Sequence, residues 1–221
     1  MKKSVSVVVI VLLASSLFVN AQERNFGVLG GLNYANIRGD RTDFTNNSWR
    51  TAYHFGVFSN ISLSDRIALE PRVLLSSKGY NNEIDLNEFD NPSQQPSTQT
   101  LIKYANRNNY LSLPILFKYK LMSNLSLDLG PEIAFLLYSK HVITKVDGEG
   151  YFAEGDVPQE GSGDFFLDYG AMAGITFYFT TNTSIQLNYF YGLSNLHRKA
   201  IIGDSTENNS VFQLSLGYLI F

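Results

Sequence analysis

The feature that most constrains this chain is a charge-free face. Eight segments alternate apolar and polar residues with period two, the signature of strands. They lie near residues 25–36, 51–62, 67–79, 109–119, 125–138, 165–179, 184–196 and 209–221. Within them His54, Glu70, Arg72, Lys118, Asp128, Glu132 and Asp168 all fall on the polar parity. The apolar parity is occupied by residues such as Val28, Leu32, Phe55, Val57, Leu75, Phe117, Leu129, Ile175, Leu187, Leu214 and Leu216. A soluble barrel would turn that face inward around a ligand. A membrane barrel turns it to lipid, where Arg or Lys at mid-bilayer costs about 2–4 kcal/mol. Complete exclusion of charge from one face favours the second arrangement.

Segment length agrees. A tilted transmembrane strand needs about 9–11 residues, and each segment supplies at least that many. Aromatic residues mark the ends of the apolar face: Phe26, Tyr119, Phe177, Phe179 and Tyr218 at one end, Tyr34, Tyr53 and Phe165 at the other. They resemble the two interfacial girdles of outer-membrane barrels. Short turns near Ser64-Asp65-Arg66, Met122-Ser123-Asn124 and Thr181-Asn182 alternate with long polar loops near 37–50, 80–108, 139–164 and 197–208. This layout places short turns in the periplasm and long loops outside the cell.

The first 21 residues form a separate unit. Lys2 and Lys3 precede an apolar run from Ser4 to Val19, and Ala21 supplies a small residue at a cleavage position. The pattern is that of a secretory signal peptide. The run is shorter than the roughly 20 residues of a spanning helix. The expected organisation is a signal peptide over 1–21 and one all-β domain over 22–221, an eight-stranded antiparallel up-and-down barrel in the outer membrane. Absence of cysteine excludes disulfides, thiolate metal sites and lipid attachment through that residue. The formal net charge of -3 argues against nucleic acid as a partner.

Eight strands leave an interior only just wide enough for side chains. Gly27, Gly31, Gly56, Gly130, Gly170, Gly174 and Gly192 on the inner face make room for Phe58, Arg72, Met172 and Phe190. A filled lumen requires its charges to be paired. The spacing predicts Lys118 between Glu70 and Asp128, and Arg72 against Glu132. Pro71, Pro114 and Pro131 interrupt the strand pattern and predict bulges or local breaks.

These residues carry a resemblance. The runs Ile67-Ala68-Leu69-Glu70-Pro71-Arg72-Val73-Leu74-Leu75-Ser76-Ser77-Lys78-Gly79 and Tyr110-Leu111-Ser112-Leu113-Pro114-Ile115-Leu116-Phe117-Lys118-Tyr119 are its core. Gly130-Pro131, Tyr189-Phe190-Tyr191-Gly192-Leu193-Ser194-Asn195-Leu196 and Gln213-Leu214-Ser215-Leu216-Gly217-Tyr218 extend it over nearly all of the mature chain. The chain resembles the PorT-like outer-membrane β-barrel family of Bacteroidetes-type bacteria. That resemblance implies the barrel fold, an outer-membrane location and a link to type IX protein secretion. It implies no catalytic residues. Phe221 resembles the terminal aromatic read by barrel-assembly machinery, although it falls on the inward parity, so that either the last-strand register is shifted or Ile220 takes that part.

Other chemistry is sparse. His54, His141 and His197 lack metal-ligand spacing. Ser194, His197 and Asp204 form the one set that a lipid-modifying hydrolase could use; the plainer reading is a strand end entering a loop. Arg38-Gly39-Asp40 reads as an exposed turn. Asp147, Glu149, Glu154, Asp156, Glu160 and Asp164 lack EF-hand spacing. They read as a solvated acidic loop, with weak Ca²⁺ or lipopolysaccharide-linked divalent ions as the alternative. Gly27-Val28-Leu29-Gly30-Gly31 lies inside a strand and is no phosphate loop.

The expectation is therefore a monomeric, non-enzymatic barrel with no catalytic, cofactor or metal residues. It contacts outer-membrane lipid and lipopolysaccharide, and displays loops to protein partners or to secretion machinery. A small pore, an outer-membrane lipid hydrolase and a soluble ligand-binding barrel are the alternatives.

Overall fold

A computed structural model describes residues 24–39, 46–85, 101–147, 154–157, 167–196 and 206–220. The proposed signal peptide lies outside the described residues. Eight long strands carry the fold: β1 (Arg24–Arg38), β3 (Arg50–Ser62), β4 (Ile67–Asp85), β5 (Leu101–Met122), β6 (Leu125–Asp147), β8 (Leu167–Tyr178), β9 (Thr183–Gly192) and β10 (Asn208–Leu219). Two short strands, β2 (Asn46–Ser48) and β7 (Gly155–Val157), pair with β4 and β6. Each long strand is antiparallel to its sequence neighbour in the barrel wall, and β10 returns to pair with β1 from Gly27–Leu219 to Arg38–Asn208. The sheet is a closed eight-stranded ring, as the alternation predicts.

Faces are assigned as expected. Residues of the apolar parity point out: Leu32, Leu129, Leu214 and Leu216 are 57%, 63%, 47% and 62% exposed. Such a continuous exposed apolar surface marks a membrane contact. The inner parity is buried. Phe58, Leu29 and Leu74 pack together, and Ala35, Leu116, Met172, Phe190 and Val211 form a second cluster. A Cβ on Gly27 would collide with the Phe58 ring, and one on Gly170 with the Phe190 ring. Glycine at these positions thus makes room for the two aromatic side chains and for the close approach of the Tyr218 and Tyr191 carbonyls. The parity of β10 also stands: Tyr218 and Ile220 are outward and exposed, so the register is not shifted. Phe221 lies outside the described residues.

Two expectations change. The segments at 80–108 and 139–164 are not loops throughout. Residues 80–85, 101–108 and 139–147 continue β4, β5 and β6 past the aromatic belt. Asn, Tyr, Lys and Thr fill these extensions, so hydropathy fades although the ladder continues. Backbone pairing, which is indifferent to side-chain polarity, carries the strands onward.

The prolines make breaks and no bulges. Pairing stops between Phe58–Arg72 and Ile61–Leu69, between Pro71–Ile115 and Leu74–Ser112, and between Pro114–Glu132 and Phe117–Leu129. Register is identical on both sides of each gap. Proline lacks the N–H that a ladder bond needs, yet its extended backbone keeps the strand in step. Pro131 even pairs with Ala171 of β8 without interruption. The register shifts of the β5–β6 pair lie elsewhere, at Lys103/Tyr104, Asn109/Tyr110 and Lys120/Met122.

Candidate functional site

The lumen is filled by stacked polar clusters. Nearest the turns, Lys118 Nζ lies 3.3 Å from Asp128 Oδ2 and 3.2 Å from Glu70 Oε2, and donates to Thr176 Oγ1 at 2.7 Å. Thr176 in turn donates to Asp128 at 2.6 Å. Alternation on β4, β5 and β6 brings these side chains to one level, and the predicted placement of Lys118 holds.

One level outward, Arg72 Nε donates to Glu70 Oε1 at 2.8 Å and its Nη2 to Gln186 Oε1 of β9 at 2.6 Å. The predicted Arg72–Glu132 pair does not form. Glu132 is opposite Pro114 in the ladder and Arg72 falls in the adjoining gap of the β4–β5 pairing, but position along the wall does not decide contacts across a staggered barrel. The long arginine crosses the lumen to β9, and Glu70 on its own strand takes the charge.

Glu132 pairs instead with Lys78, a further lumen charge beyond those predicted. Lys78, on the same parity as Glu70 and Arg72, puts Nζ 2.9 Å from Glu132 Oε1 and 3.0 Å from Asp168 Oδ2. All three side chains are fully buried. Lys78 Nζ also lies 3.9 Å from the centroid of the Phe190 ring, a cation–π contact. Asp168 accepts from Ser194 Oγ at 2.6 Å and from Asn209 Nδ2 at 2.8 Å. The signal for Lys78 was available: residues 70, 72, 74, 76 and 78 share one face. It lies inside the third segment, 67–79, beside the charges that were counted.

Between these levels, His54 bridges Asn33 Oδ1 and Ser215 Oγ, each at 2.7 Å. Asn33 donates to Ser76 Oγ at 2.9 Å and to the Ser77 carbonyl at 2.8 Å. His54 is thereby a tie between β1, β3 and β10 rather than a free base.

The other singled-out residues are scattered. Ser194 is buried, and its hydroxyl is engaged by Asp168. His197 and Asp204 lie outside the described residues. Arg38 stacks on Tyr191, its guanidinium carbon 3.2 Å from the ring centroid, and donates to the Gly192 carbonyl. Asp40 lies outside the described residues. Of the acidic set, Asp147 pairs with Lys145 at 3.1 Å and Glu154 is exposed. Asp156 is on β7, and Glu149, Glu160 and Asp164 lie outside the described residues. Among the described residues no three His, Asp or Glu side chains are grouped to hold a metal ion. Half-buried His141, on the outer extension of β6, has its pKa lowered by desolvation.

The outer extension has its own packing. Ile84, Ile102 and Val146 lie side by side across β4, β5 and β6, with Ile102 and Ala105 buried. Lys103 and Glu83 pair at 2.6 Å across β4 and β5. Asn82 donates to Asn47 of β2 at 2.6 Å. Strands β2 and β7 lie on the two edges of this sheet, the usual way an edge is blunted.

Comparison with known proteins agrees with this architecture. No curated protein matches the chain in sequence. Solved structures resemble the chain at low identity. The crystal structure of neisserial surface protein A has TM-score 0.49 and 10% identity, covering 87% of this chain and 96% of that one. That of Ail, the attachment invasion locus protein of Yersinia pestis, has TM-score 0.44 and 13% identity, covering 90% and 99%. That of OprG from Pseudomonas aeruginosa has TM-score 0.40 and 11% identity, covering 90% and 97%. The sequence model of the outer membrane protein beta-barrel domain matches residues 20–198. With its ring of lipid-facing strands, this chain belongs to the outer membrane protein beta-barrel domain family and is an integral protein of the outer membrane.

Proposed function

We propose that this barrel is a non-enzymatic, monomeric anchor that displays an interaction surface outside the cell. The observation that carries the reading is the contrast between its two halves. Side chains tie strand to strand across the lumen at successive levels, from Lys118–Asp128 to Lys78–Asp168. Strands β4, β5 and β6 continue beyond the belt as a sheet. At about 3.3 Å per residue, residues 101–106 alone project roughly 20 Å. A plugged barrel with a projecting sheet is suited to holding a surface in place, not to passing solutes.

The resemblance to PorT-like chains adds a finer reading, a place beside type IX secretion machinery. Its support is the residues quoted above and nothing further. The engagement of the Ser194 hydroxyl by buried Asp168 is the observation against a hydrolase.

Single-channel recording of the refolded chain in planar bilayers tests the anchor reading. No stable current is expected, and a reproducible open level would replace the anchor with a pore. Crosslinking in intact outer membranes followed by affinity capture tests the finer reading. A secretion component should co-purify with the wild type and be lost on Ile102→Asp, which disrupts the projecting sheet. Recovery of no such component removes the secretion link. An unchanged lipid A mass spectrum on Ser194→Ala is expected; a changed one would restore the hydrolase.

A further inference from the structure

The turn end of the barrel opens into a polar cup. Its cavity of about 430 Å³ is of the size that small molecules occupy. The floor is Lys118, whose ammonium is already spent on Glu70, Asp128 and Thr176. One wall is the partly buried ring of Tyr178, its centroid 5.9 Å from that ammonium. The β3–β4, β5–β6 and β8–β9 turns form the lip. In an outer-membrane barrel this end faces the periplasm.

The lining hydroxyls and amides divide into two sets. Ser64 and Thr180 hold their own turns: Ser64 Oγ accepts from the Ile67 amide at 3.1 Å, and Thr180 Oγ1 from the Thr183 amide at 3.0 Å. Asn25, Asn60, Ser62, Ser123 and Asn124 also line the cup, yet among the described residues nothing engages their polar heads. Charge divides in the same way. Arg66 and Lys120 are exposed at the lip, held side by side by a backbone bond of 2.8 Å from the Lys120 amide to the Arg66 carbonyl. Neither has an acid partner among the described residues. Asp65 is the single acid in the lining. With Lys118 neutralised, the cup keeps one positive charge in excess.

These properties select a ligand by exclusion. A fatty chain needs an apolar floor, and this floor is Lys118 and Ser126. A polyanion such as a nucleotide needs more than one surplus cation. A ring of hydroxyls and amides bearing one carboxylate meets both conditions. Arginine grips a carboxylate in two-pronged fashion, which suits the Arg66–Lys120 corner. Carboxamides and hydroxyls both donate and accept, as sugar hydroxyls do in return. The Tyr178 ring offers a flat face to the C–H side of a pyranose.

We propose that the turn-end cup binds a sugar acid, with its carboxylate at Arg66 and Lys120 and its ring against Tyr178 and the unspent asparagines. The site stands on the membrane orientation of the barrel and is independent of the anchor reading, which concerns the opposite end.

Solution NMR of the refolded full chain in neutral detergent tests it, with N-acetylmuramic acid, N-acetylglucosamine and acetate as probes. The two sugars share a ring and an acetamido group, and only the first carries a carboxylate. Saturable shifts at the three turns are expected, with N-acetylmuramic acid bound most tightly and its advantage shrinking as salt rises. Arg66→Gln with Lys120→Gln should weaken N-acetylmuramic acid about tenfold and leave N-acetylglucosamine as it was. Asn60→Ala with Asn124→Ala should weaken both sugars. Arg107→Gln, on the outer extension of β5, should change neither. Each single variant is measured as well, with heat-modified gel migration reporting folding, so a misfolded double variant does not hide the answer. Absence of saturable shifts at the turns overturns the site, as does binding moved equally by Arg107→Gln. Equal affinity for the two sugars overturns the carboxylate pairing, and acetate bound as tightly as N-acetylmuramic acid would show a free-anion site and overturn the sugar assignment. Cosedimentation with purified cell-wall sacculi separates the two sources of such a ligand. Retention lost in the Arg66 and Lys120 variant assigns the polymer, and saturable sugar binding without retention assigns the free sugar acid.

Discussion

Removing the Lys78 ammonium should be the most damaging single change in the lumen. Lys78→Met keeps length and volume and deletes the charge. Glu132 and Asp168 then share a sealed site with no cation, since no other ammonium or guanidinium pairs with either among the described residues. Breaking a buried pair in this way costs about 3–5 kcal/mol, because the partner charge stays behind. Here two partners stay behind, which puts the expectation at the upper end of about 5 kcal/mol. Asn209 and Ser194 still donate to Asp168 and limit the loss. Arg72→Met should cost less, since Glu70 keeps Lys118 at 3.2 Å. The assay is equilibrium unfolding in lipid vesicles, followed by tryptophan emission and heat-modified migration. The triple variant Lys78→Met, Glu132→Gln, Asp168→Asn removes the stranded charges and should recover most of the loss. The reasoning fails if Lys78→Met and Arg72→Met cost the same, or if the triple variant is less stable than the single.

Three further outcomes follow from the same geometry. Leu214→Arg places a cation on the lipid face between Leu32 and Leu187 and should cost about 2–4 kcal/mol in vesicle unfolding; a neutral result would mean that this face is not at mid-bilayer. Gly27→Val should destabilise by about 1–3 kcal/mol through overpacking against the Phe58 ring and the Tyr218 carbonyl, and Phe58→Leu should recover only the part due to the ring in the same measurement. His141 has a folded-state pKa below its unfolded value, so its contribution to the outer sheet is present above the unfolded value of about 6.5 and is lost as pH falls through that value toward the folded one. Hydrogen exchange at residues 101–106 should quicken on acidification in that window, and His141→Asn should flatten the dependence.

Fold and membrane orientation were legible because both are written in parity. A slip of one residue would expose Glu70, Arg72 and Lys118 to lipid together, so the sequence leaves a single register open. Lys118 was placed correctly because its partners lie on neighbouring wall positions. Arg72 was not, since its contacts cross the lumen to Gln186 on a strand far away in sequence. The extent of β4, β5 and β6 was hidden for a different reason. Outside the membrane the hydrophobic alternation loses its cause, while hydrogen bonding along the backbone continues.

The seam between β1 and β10 has a consequence for how the molecule comes into being. Those strands are the first and the last of the barrel wall in chain order. Until residues 208–219 arrive, β1 presents a row of unpaired N–H and C=O groups, each costing several kcal/mol if placed in hydrocarbon. Insertion of a growing chain from its leading end is therefore forbidden on energetic grounds. The open edge of β1 must be shielded until β10 arrives, and residues 208–219 act as the latch that lets the membrane accept the rest.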